Sequence, residues 1–199
     1  MLKGQWLPNK KLKQLTSSEK LELWKDYKCL DKTQTAAIIW EFAFQIPIDA
    51  EAGRYTNAFF MMAQTLERLM YQLYKKDNWL EKEWIVIPEE LRDREIGRER
   101  FHPRLEELIK VWGEHYCCDS KFNCLLDKIR EKRNRIVHDA EGVTVEQIVG
   151  MWSGAGLEVE PLAEALLIPL RRVVKRIAGL PEVPLLSLLY EWGLEVLGG

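Results

Sequence analysis

The segment from Gly53 to Asp77 constrains the fold most. Phe59, Met62, Leu66, Leu69 and Leu73 recur at steps of three and four, which lays one apolar stripe along a helix. Such a stripe needs apolar partners along its length, and the rest of the chain offers them with the same period. Residues 19–30 read as a helix with Ser17 or Ser18 as its cap. Residues 33–46 form the next, stopping at Pro47. Residues 103–116 follow, with Gly113 near the end, and then 120–139, opened by Asp119 or Ser120 and stopped by Gly142. Residues 144–152 give a short helix, 161–178 a helix interrupted at Pro169, and 184–199 a last helix or part of one. The one strand signal is residues 83–87, Glu-Trp-Ile-Val-Ile, and the charged run 92–100 reads as a solvated loop. The expectation is an all-α chain of about eight helices. Its parts are an N-terminal helical segment (1–50), a helical core (51–152) and a C-terminal extension (153–199) packed on the same domain.

Composition narrows the function classes. The chain has 199 residues and a net charge of −2, so no global basic field attracts nucleic acid, and such contact must come from a local patch. No N-terminal apolar run resembles a signal peptide, and no stretch of about 18 apolar residues is available to span a membrane. The four cysteines, Cys29, Cys117, Cys118 and Cys124, form no Cys-x-x-Cys pair. A cytoplasmic protein without a membrane partner is expected. His115 with Cys117, Cys118 and Cys124 matches no common zinc spacing. Buried free thiols at a helix join are the expected reading, zinc the minor alternative, and neither metal nor cofactor is expected.

The helix over 120–139 breaks its own pattern. At about 100° per residue, Phe122, Leu125, Leu126, Ile129, Ile136 and Val137 share a face, and Arg133 lies near its middle. A guanidinium there needs a carboxylate, a phosphate or helix-end carbonyls. Glu67 is the candidate carboxylate, on a polar edge of the long helix formed by Gln64, Glu67, Tyr71 and Tyr74. His138 stands five residues beyond Arg133, about 140° around a continuous helix, whereas Asn134 and His138 share a face. Either the helix bends or ends before His138, or a second chain completes a site.

Arginine plus histidine without an acidic cluster suits cleavage of RNA, which carries its own 2′-hydroxyl nucleophile. Histidine moves the proton and arginine holds the charge developing on phosphate. The expected products are a 2′,3′-cyclic phosphate and a 5′-hydroxyl.

Arg133 to His138, Arg-Asn-Arg-Ile-Val-His, resembles the Arg-x4–6-His motif of HEPN-domain ribonucleases. Gly53, Arg54, Tyr55, Ala58 and Glu67 resemble a helix of the HEPN domains in CRISPR-associated accessory ribonucleases, while Met61, Ala63 and Gln64 depart from it. The resemblance covers roughly residues 50 to 145. It implies a HEPN-like bundle with additional C-terminal helices, a homodimer with a composite site, single-stranded RNA as substrate and a role in antiviral defence. It also implies a cyclic-oligoadenylate sensor domain, for which this chain has no segment. Arg133 would stabilise the transition state, His138 act as acid or base, and Asn134 orient them. Gln64, Glu67 and Tyr71 would support them, with Lys128, Arg130, Lys132 and Arg135 guiding the RNA backbone. The competing expectation is a non-catalytic helical interaction module, such as half of a toxin–antitoxin pair, with Arg133 as a structural ion pair and His138 as a surface cap.

Overall fold

The computed structural model describes residues 35–89, 101–117, 119–177, 180 and 184. Among them lie seven helices: α1 Thr35–Phe42, α2 Gln45–Glu51, α3 Tyr55–Lys76, α4 Leu105–His115, α5 Ser120–Asp139, α6 Val145–Gly154 and α7 Leu162–Val174. The fold is all-α, as expected. The expected helices over 19–30 and 184–199 and the charged loop 92–100 fall almost wholly outside the described residues.

α3 is the hub. Its stripe residues Phe59, Met62, Leu66, Leu69 and Leu73 are all buried. α1, α2 and α7 pack on α3 and form one group, with α7 also against α2; α4 and α5 form a second group on it, and α6 packs on α5. α7 therefore contributes Leu166, Leu170 and Val173 to the same core as the long helix. Among the described residues no helix is long and apolar enough to cross a membrane.

Both proline expectations are corrected. The segment 33–46 does not run to a stop at Pro47; it breaks after Phe42, and Pro47 lies in the first turn of α2. A first-turn residue has no intrahelical use for its N–H, so proline is tolerated there. Pro169 does not interrupt α7, which runs through it with the ring buried. Proline at 169 leaves the carbonyl of Ala165 without its helical donor. The indole Nε1 of Trp152 on α6 donates to that carbonyl at 2.8 Å and restores the bond.

Residues 83–87 form no strand, and no strand occurs among the described residues. Their alternation is real, with Ile85 and Ile87 buried and Val86 exposed. The segment instead adds Trp84 to an aromatic cluster, with ring centroids 6.2 Å from Trp79 and 5.9 Å from Tyr116. Trp79 Nε1 donates to Tyr116 Oη at 2.9 Å, Tyr116 Oη donates to Asp77, and Lys82 closes on Asp77 at 2.7 Å. Burial, and then the carboxylate of Asp77, push the Tyr116 hydroxyl up to about 12.

Candidate functional site

α5 begins at Asp119, whose carboxylate accepts from the backbone N–H of Lys121 at 3.1 Å and Phe122 at 3.2 Å. It ends at Asp139, where Ala140 takes up a left-handed conformation at φ 52°, so Gly142 is not the stop. Phe122, Leu125, Leu126 and Ile129 are buried as expected, Ile136 is half-buried, and Val137 is exposed. The apolar face therefore opens to solvent over its last two turns, around Arg133.

Arg133 meets the expected partner. Its Nη2 donates to Glu67 Oε2 on α3 at 2.9 Å, and its Nη1 donates to Asn134 Oδ1 at 3.1 Å. The side chain is about three-quarters buried, and its buried Nε has no hydrogen-bond partner. Such a group costs free energy unless a further acceptor arrives.

His138 is exposed on continuous helix. That removes the expectation that α5 bends or ends before it and leaves the histidine about 140° away from Arg133. Asn134 is bonded to Arg133, and no hydrogen bond joins it to His138 among the described residues. Val137 lies one turn beyond Arg133 on the same side and is 49 % exposed.

The four basic residues are not one track. Lys132 is buried and donates to Glu141 at 2.5 Å, so it is withdrawn from any RNA path. Arg130 is half-buried between Asp127 at 3.4 Å and Glu131 at 3.8 Å. Lys128 is exposed beside Gly154, at the carbonyl end of α6, where a cation is favoured. Arg135 is exposed. Lys128, Lys132 and Arg135 share a groove of about 320 Å³ between α5 and α6 with Glu131, Glu141 and Glu146, so its charge is mixed.

Gln64 is half-buried on the polar edge of α3. Tyr71 is engaged elsewhere: its ring stacks on His102 with centroids 4.5 Å apart, and Lys75 Nζ lies 4.7 Å from its centroid. Tyr71, Tyr74 and Phe101 line a cleft of about 930 Å³ at this end of α3.

Arg54 makes a corner. Gly53 has φ +73°, and Arg54 donates from Nε at 2.9 Å and Nη2 at 2.6 Å to Oδ1 of Asp49, which is 2 % exposed. Gln45 and Asn57 also donate to Asp49. Burial pushes this carboxyl up, but the bonds from Arg54, Gln45 and Asn57 and the Arg54 charge outweigh it and hold it below its ordinary value. Asp49 was missed in the sequence; its signal is an acid four residues after Gln45 and five before Arg54.

The thiols differ from expectation. Cys117 is half-buried and Cys124 exposed, both are free, and Cys118 lies outside the described residues. His115 is stacked on Trp84, with centroids 3.8 Å apart. Among the described residues no group of three or more His, Cys, Asp or Glu is placed to hold a metal ion.

No family model, curated protein or solved structure matches the chain.

Proposed function

We propose that the chain is a cytoplasmic, metal-independent endoribonuclease of HEPN type that cleaves single-stranded RNA in antiviral defence, working as a homodimer through Arg133 and His138. The observation that carries this reading is the setting of Arg133. A core-edge guanidinium is held in place by Glu67 and Asn134 and remains one-quarter exposed. That is a preorganised cation with donor capacity left for a phosphate. His138 and Val137, exposed on the same last turns, supply a proton carrier and an apolar contact for a second copy. Two copies joined across this end would bring one chain's histidine toward the other chain's arginine.

In the reaction His138 takes the proton from the 2′-hydroxyl and the 2′-oxygen attacks phosphorus. The bond from phosphorus to the 5′-oxygen breaks, and the leaving oxygen takes a proton from a histidine of the pair. Arg133 holds the charge that builds on the non-bridging oxygens. Lys128 and Arg135 are the cations left for the RNA backbone.

The test is a matched pair of fluorescent oligonucleotides, one RNA and one fully 2′-O-methylated. Cleavage of the first alone, with a 2′,3′-cyclic phosphate on the product, supports the reading; cleavage of both contradicts it.

The Arg133–Glu67 pair also favours a second reading, a non-catalytic bundle in which that pair is structural. A folded dimer that cuts neither strand supports it.

A further inference from the structure

We infer that Lys132 is a positioning residue for this site: its buried ammonium, held by Glu141, fixes how α5 ends and so where His138 is carried. The inference rests on the ribonuclease reading above.

His138 is the last residue but one of α5. The chain leaves the helix through Ala140 at φ 52°, a conformation that a residue with a Cβ adopts only when its surroundings hold it there. Three ties do so. The backbone N–H groups of Ala140 and Glu141 both turn back to the carbonyl of Arg135. Lys132, two turns earlier, reaches forward to the carboxylate of Glu141. Thr56, in the first turn of α3, accepts from the N–H of Val143 at 2.8 Å. The turn is thus pinned at 141 to α5 itself and at 143 to α3. The next residue along, Arg133, is pinned to the same helix α3 through Glu67. Lys132 and Arg133 together therefore set the two halves of the site against one frame.

A phosphate-guiding role does not fit Lys132. Its ammonium is buried and already held by Glu141 at 2.5 Å, whereas Lys128 and Arg135 on the same groove are exposed.

The test uses Lys132→Met, which keeps the stem, and Glu141→Ala, which removes the partner from the exposed side. Glu141 is 36 % exposed, so water can solvate its carboxylate in Lys132→Met and the fold survives. Both variants are read for kcat and KM on RNA and for amide hydrogen exchange over residues 134–143. The expected result is faster exchange and kcat down about tenfold with KM little changed, as for a misplaced catalytic group; Lys132→Arg restores both. A wild-type kcat in folded Lys132→Met and Glu141→Ala overturns the inference, and so does a rise in KM alone, which would make Lys132 an RNA contact. If the wild-type protein itself cuts no RNA, the ribonuclease reading falls and takes the positioning role with it. Exchange then decides the tether separately: unchanged protection in both variants overturns that as well, and lost protection upholds it.

Discussion

Arg133 on α5 and Glu67 on α3 meet at 2.9 Å across the edge of the core, 66 positions apart in the chain. The pair joins the two helices that carry every residue of the proposed chemistry. It also leaves the guanidinium partly exposed, which a purely structural pair does not require.

Glu67→Gln tests that dual role. The amide keeps an acceptor for Arg133 but removes its counter-charge. With both side chains partly solvated the loss of stability is small, about 1 kcal/mol. RNA cleavage should fall further than stability does, because the arginine loses its fixed orientation. Urea unfolding and initial rates on one preparation check this; equal, minor effects on both would remove Glu67 from the site.

Asp49 predicts an acid-side loss of stability. Its folded carboxyl is held below the ordinary value of 3.8, so at low pH the unfolded chain binds the proton more readily. Its stabilisation is therefore complete above the ordinary value and is lost as pH falls from there through the folded value. Asp49→Asn should cost about 2 kcal/mol at pH 7, by loss of charge-assisted bonds to a buried acceptor. It should also flatten the decline in stability below about pH 4. Urea midpoints between pH 7 and pH 3 measure both; an unaltered pH slope would show that other groups carry it.

Tyr116→Phe should destabilise the α3–α4 end without touching cleavage. The hydroxyl accepts from Trp79 Nε1 and donates to Asp77, and Trp79 is fully buried. Removal takes the 2.9 Å acceptor from the Trp79 indole N–H and leaves it only the lesser bond to Asp77, at a cost of about 1 kcal/mol. Thermal unfolding and an RNA assay at 25 °C separate the effects. A loss of rate with unchanged stability would place this cluster in the site.

The sequence made α3 legible because its stripe is a property of one segment: Phe59, Met62, Leu66, Leu69 and Leu73 need no knowledge of their neighbours. Arg133 was legible for the same reason, as a charge inside a stripe. What failed depends on other elements. Pro169 was read as a break because the donor that replaces its N–H comes from Trp152 on α6. Lys132 reads in the sequence as a cation guiding RNA because α5 alone does not reveal that α6 packs on that flank or that Glu141 returns to it. Val137 was read as core because the period continues past the point where α5 leaves the bundle.

The most direct test is cleavage of a fluorescent single-stranded RNA in EDTA by the wild-type protein and by His138→Ala. The ribonuclease reading predicts metal-free cutting by the wild type and a rate at least 100-fold lower in a folded variant, the order of effect of losing a general acid or base. Equal cutting by both proteins, or none by a folded wild-type dimer, would contradict it.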